Sequence, residues 1–225
     1  MSTFPQLCND VARETGTLGQ DLVTVAGATG RGRKIVNWTR QAWELIQTQR
    51  SDWTFKRRQF CDVLTTGETT YTPGELGIED FGQWIVPGPD NAFPISVYDP
   101  ALGRADETPL RVIPIRDWLS QYDLGAPQRQ RPVFAAIDAE ENLRLGPPAD
   151  QPYAIRGWYE RSIQSLAEDD DEPFIHPDMH RIIVWRACML VGDDDEAAFE
   201  VASSTAMFRQ MSEQMIARYV ERATI

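Results

Sequence analysis

Apolar positions follow helical spacing at both ends of the chain and strand spacing between them. In residues 3–15, TFPQLCNDVARET, the side chains of Phe4, Leu7, Cys8, Val11 and Ala12 fall on one stripe, and Gly16 marks the stop. A second helix is predicted over about Arg33 to Arg50. Ile35, Trp38, Ala42, Leu45 and Gln49 keep 3-4 spacing there, and Val36, Trp43 and Ile46 widen the apolar face. From Trp53 the pattern changes to alternation. TFKRRQFCDVLTTGETTYTP reads as a hairpin turning at Thr65-Thr66-Gly67-Glu68. Proline and glycine are then dense from Pro73 to Pro114, with short strands expected at 82–87, 93–98 and 109–113 and one short helix at 115–122. PVFAAID, NLRLGPP and YAIRGWYERS follow as three strands joined by short turns. Such short connections predict an antiparallel meander.

The last fifty residues return to helical spacing. Pro177 suits the first position of a helix. DMHRIIVWRACMLV is apolar nearly all round, as expected of a central, buried helix. GDDDE interrupts it, and Asp193 to Glu196 set negative charge at the start of a final helix, where the helix dipole favours it. In that last helix Ala198, Val201, Phe208, Met211, Met215 and Tyr219 recur at near-heptad spacing. The predicted fold is therefore α+β. The N- and C-terminal helices (1–52 and 174–225) form a helical bundle, and an antiparallel β-rich region (53–173) is inserted between them.

Composition narrows the function classes. The chain has 225 residues, 42% of them hydrophobic, and 34 acids against 22 bases give a net charge of −12. A protein that grips nucleic acid normally presents a basic face, and this composition does not supply one. FKRRQF (55–60) is the one dense basic stretch. Its Lys56, Arg57 and Arg58 are candidates for facing DNA or an acidic partner, although strand alternation divides such charges between two faces. No run of about 18 uncharged apolar residues exists to span a membrane, and the first residues lack the pattern of a secretory signal. Cys8, Cys61 and Cys188 are odd in number and far apart, which fits a reducing compartment better than a disulfide framework.

Candidate chemistry is sparse. VTVAGATGRGRKIVNW (23–38) carries Gly27, Gly30 and Gly32 ahead of a helix and invites a nucleotide-binding reading. The third glycine of a dinucleotide fingerprint is replaced by Arg33, however. The P-loop alternative lacks its hydroxyl, because Ile35 stands after Lys34. The expected role is a polar turn into a helix. His176 and His180 are the only histidines and come without an evident third metal ligand. The acidic runs 168–172 and 193–196 lack calcium-loop spacing. Met207, Met211 and Met215 form an i, i+4, i+8 stripe that reads as core or as an adaptable partner face. No GxSxG motif or Ser-His-Asp grouping is recognisable. A carbohydrate-binding module would need aromatics such as Trp84, Trp118 and Trp158 coplanar on one strand face. No catalytic, metal or cofactor-binding residue is assigned.

Several segments, in order, carry a family resemblance. LCNDVARETG is followed by TVAGATGRGRKIVNWTRQAWELIQTQRSDWTFKRRQF. VFAAIDAEENLRLGPPADQPYAIRGWYERSIQSLAEDDDEPFIHPDMHRIIVWRACMLVGDDDEA then covers most of the second half. This series resembles the head-to-tail adaptor (connector) proteins of tailed bacteriophages, most weakly over about 68–115. The resemblance implies a structural virion protein of the neck, assembled in the host cytoplasm, that is not an enzyme and needs no cofactor. It implies a homo-oligomeric ring, twelve-fold, beneath the portal protein. Such a ring would extend the DNA channel, pass double-stranded DNA without specific binding, and dock the tail (nozzle or tube) protein. On this reading Val201, Phe208, Met211, Met215 and Tyr219 are candidate portal or subunit contacts. The segment 196–225 is then expected to settle only against a partner.

Overall fold

The computed structural model describes residues 2–86, 94–194 and 201–220. In chain order the elements are helices α1 (Phe4–Thr15) and α2 (Gly30–Thr48), strands β1 (Arg57–Val63), β2 (Thr70–Tyr71), β3 (Phe81–Trp84), β4 (Ser96–Tyr98), β5 (Thr108–Pro109) and β6 (Arg111–Val112), helix α3 (Ile115–Tyr122), strands β7 (Phe134–Ile137), β8 (Leu143–Gly146) and β9 (Ala154–Arg161), and helices α4 (Arg181–Gly192) and α5 (Val201–Tyr219). The fold is α+β with mostly antiparallel sheets. The chain divides into two compact units, Met1–Lys56 with Ile163–Ile225, and Arg57–Ser162.

In the first unit one apolar core draws on α1, α2, α4 and α5. α1 begins at a capping box, in which the Thr3 N–H donates to Oε1 of Gln6 at 3.0 Å, and ends at Gly16 in the left-handed conformation (φ 63°). α2 buries Ile35, Val36, Ala42, Trp43 and Ile46 along its stripe. α4 buries Ile182, Ile183, Val184, Ala187, Cys188 and Val191, positions spread around its circumference, and it packs against α1, α2 and α5. Pro177 opens a single 3-10 turn (Pro177–Met179), and α4 proper starts four residues after it. Gln164 joins the acid-rich loop segment to this core. Its Oε1 accepts from the Trp43 indole at 3.0 Å, and its carbonyl accepts from Gln47 at 2.8 Å.

The second unit contains two sheets, and here the pairing departs from the sequence expectation. β1 does not form a hairpin with β2. It pairs along all seven positions with β9, whereas β2 pairs with β8 over two. The turn at 65–68 is real, with Glu68 N–H donating to Thr65 O at 3.1 Å, but it links two sheets. The meander is likewise half realised. β7 and β8 are an antiparallel hairpin, while β9 belongs to the other sheet with β1, β3, β4 and β5. Pro147, Pro148 and Pro152 between β8 and β9 have no N–H to continue a ladder, so the strand is released there. The strand expected at 109–113 is split. β5 joins β4, and β6 pairs with β7 in parallel across α3. Positions 87 and 93, which the expected strands include, lie outside the described residues. Phe60, Trp84, Ile95, Val97, Leu143, Leu145, Ile155 and Tyr159 anchor this unit's core.

Candidate functional site

The heptad stripe of α5 faces its own unit. Ser204 and Met215 are buried, Met215 being 1% exposed, and Phe208, Met211 and Tyr219 are half-buried against the same core. The Tyr219 hydroxyl accepts the His176 N–H at 2.8 Å, and its ring meets Phe55 edge-on at 5.3 Å. Phe55 in turn stacks against Trp43 (5.9 Å) and tilts against Trp53 (5.5 Å), and Trp53 donates its indole N–H to Ile46 O at 3.1 Å. The guanidinium of Arg186 sits over the Phe208 ring at 5.6 Å. Met215 is therefore packed inside the core of its own unit. An apolar stripe finds its partner in α4 before any second protein is present. Val201 begins α5, and its side chain lies outside the described residues, as do 195–200 and 221–225 of the segment expected to depend on a partner.

The apolar residues that do face solvent are different ones. Met207 and Ile216 lie on the outer side of α5, at 40% and 39% exposed, and Val23 in the α1–α2 loop is 93% exposed. Of the methionine stripe, then, Met207 is exposed, Met211 half-buried and Met215 buried. A four-residue step advances 400°, so the stripe rotates slowly around the helix. The sequence signal for Ile216 was its place off the heptad.

The basic stretch is likewise divided. Lys56 is half-buried in a 3-10 turn of the first unit. Arg57 and Arg58 begin β1 in the second, where Arg58 is exposed with its Nη1 3.8 Å from Asp80.

The glycine loop does not build a nucleotide cradle. Residues 23–29 form no strand, Gly30 is already the first residue of α2, and Gly32 packs against Leu22. Among the loop amides, Val25 N–H is taken by the Asp169 carboxylate at 2.7 Å. An open cleft of about 460 Å³ lies beside it, lined in part by Arg33, Asn37 and Arg40. Arg40 is committed to the fold, donating to Leu166 O at 2.6 Å with its guanidinium 5.8 Å from the Phe4 ring. The carbohydrate reading fails on geometry. Trp84 and Trp118 are buried, and Trp84 donates its indole N–H to Glu141 O at 2.7 Å.

Reactive groups are few. Burial pushes the thiols of Cys8 and Cys188 up to about 12, leaving them protonated and unreactive. Cys61 is exposed. His180 is buried, accepts Ser2 N–H at Nδ1 (3.3 Å), and meets Ile175 O through Nε2 at 3.1 Å, so its ring holds the start of the chain. Among the described residues no group of three His, Cys, Asp or Glu side chains is placed to hold a metal ion, and no helix is long and apolar enough to cross a membrane. Among curated proteins, none matches the chain. The family model described as SU10 adaptor protein matches residues 2–224.

Proposed function

The chain belongs to the SU10 adaptor protein family, a phage adaptor family, and from that premise we propose that it forms a closed ring beneath the portal, extends the DNA channel and receives the tail. The observation that carries this reading is the match over nearly the whole chain, both units included. A ring of identical chains needs head-to-tail contacts that close by rotation, and twelve copies is the expected number. The terminal helices are proposed to act as the bundle that carries the subunit and portal contacts, through the outer side of α5, Met207 and Ile216, and the half-buried rims of Phe208, Met211 and Tyr219. The net charge of −12 favours an acidic lumen, which would repel the phosphate backbone and let DNA pass without holding it.

Electron microscopy of the chain mixed with its portal tests this. The expected result is a twelve-fold ring seated on the portal with a continuous axial channel. A chain that stays monomeric and unbound in saturating portal would overturn the reading.

A further inference from the structure

β1 is an edge strand. β9 flanks one side along all seven residues, and among the described residues no strand pairs with the other. Two hydrogen bonds fix which backbone groups face outward. Leu64 N–H donates to Tyr153 O at 2.8 Å, so the next position of the ladder is a bonded pair. Trp158, opposite Gln59, gives its carbonyl to Ile85 N–H on the far side of β9 at 3.1 Å. Antiparallel ladders alternate, so the N–H and C=O of Gln59 and Cys61 point away from β9. At Val63 the outward N–H is held by the chain's own Asp62 carboxylate at 2.7 Å. The strand is open at the side-chain level too, with Arg58, Gln59 and Cys61 exposed and Val63 54% exposed. A row of open amides and carbonyls on an exposed edge is a template for another strand.

The sequence of this edge, RRQFCDV, carries opposite charges at positions two on either side of Phe60, Arg58 and Asp62. We propose that β1 pairs antiparallel with β1 of a second copy of this chain, in the register centred on Phe60. That register sets Arg58 opposite Asp62 of the other copy, twice by symmetry. It also sets Gln59 opposite Cys61, so the residues whose backbone groups face outward form the hydrogen-bonded pairs. A shift by one residue would oppose outward groups to inward ones. A shift of the centre to Gln59 or Cys61 keeps the backbone match but places Arg58 or Asp62 opposite Phe60. One register alone satisfies both the backbone and the charges. In forming it, Asp62 leaves Val63 N–H to the partner backbone and turns to Arg58 of the second copy, which exchanges its 3.8 Å contact with Asp80 for Asp62. The contact is isologous and closes at two copies, so it cannot propagate around a ring. It describes the chain before or outside assembly and does not rest on the proposed ring.

Cys61 supplies a reporter, because Cys8 and Cys188 are buried. Its counterpart is a diagonal neighbour in this register, about 7–8 Å away, within reach of a short bis-maleimide and too far for an unstrained disulfide. The test is sedimentation equilibrium of the full chain to high-micromolar concentration at physiological salt, with bis-maleimide crosslinking in parallel. A monomer–dimer equilibrium without higher species is expected, with a crosslinked dimer that Cys61→Ser abolishes. Arg58→Asp and Asp62→Arg should each raise the dimer Kd at least about tenfold, because like charges then face each other. The double exchange Arg58→Asp/Asp62→Arg should return it to near the original value. A chain that stays monomeric, a dimer indifferent to both single changes, or a double exchange as weak as the single ones overturns the proposal. Where a single variant fails to fold by circular dichroism, the Cys61 crosslink in the unaltered chain decides, and its absence overturns the proposal.

Discussion

His180 shows how one side chain can carry a pH dependence that has nothing to do with catalysis. Its ring is 2% exposed, it accepts from Ser2 at Nδ1, and Nε2 meets Ile175 O, an arrangement that suits the neutral imidazole. Burial holds its pKa below the ordinary 6.5. As pH falls, the unfolded chain takes up this proton before the folded one does. The stability due to neutral His180 is thus complete above about 6.5 and is lost progressively below it, until the folded form titrates too. Protonation would also turn an N–H of Nδ1 toward the Ser2 N–H. Urea unfolding at pH 7 and pH 5 checks this. The native chain should lose more stability than His180→Gln between those values, by no more than about 1.4 kcal/mol per pH unit. Carboxylates such as Asp106, whose pKa the Asp99 N–H and Arg131 hold down, add acid sensitivity to both proteins, so the difference between the two carries the result. Equal losses would show that His180 is silent.

Among the elements, α4 and α5 make opposite use of an apolar sequence. α4 is buried nearly all round, whereas α5 is attached along one stripe and exposes Met207 and Ile216. Hydrogen exchange on the free chain should therefore find α4 amides protected well beyond those of α5, by about tenfold or more in opening equilibrium, since local opening follows the contacts that must break. Binding to the portal should then raise protection in α5. Equal protection of the two helices in the free chain would contradict the difference in packing. The helices were legible in the sequence because their signal is local: stripes mark α1, α2 and α5, a glycine stop ends α1, and an apolar run and a short helical segment mark α4 and α3. Strand partners were not legible. β1 finds β9 nearly a hundred residues later, and the turn at Gly67 offers a hairpin signal that the fold spends on joining two sheets. The stripe in α5 was visible as well, but an apolar stripe states only that a face is covered. Met215 is covered by the chain itself and Phe208 and Met211 only in part, and the exposed edge of β1 emerges only once its register with β9 is known.

At the scale of the whole molecule, charge governs how copies meet. The excess of acids divides equally between the two units, so neither is a basic module that could anchor the chain to nucleic acid. Bringing copies of a −12 chain side by side in a ring opposes assembly through self-repulsion. Salt screens that repulsion over a Debye length of about 30 Å at 0.01 M and about 8 Å at 0.15 M. The short-range apolar contacts proposed through Met207 and Ile216 should be hardly affected over the same range. Assembly on the portal should accordingly strengthen as ionic strength rises from low to physiological, and DNA affinity of the free chain should stay negligible throughout, because each unit carries more acids than bases and counterion release then gains little. Co-sedimentation with portal across that salt series measures the first, and fluorescence anisotropy with labelled duplex measures the second. Binding to portal that weakens steadily with salt would mean that attraction between opposite charges, not repulsion between copies, dominates the contact. Duplex binding that falls steeply with salt would place a phosphate-contacting face on a chain whose composition offers none.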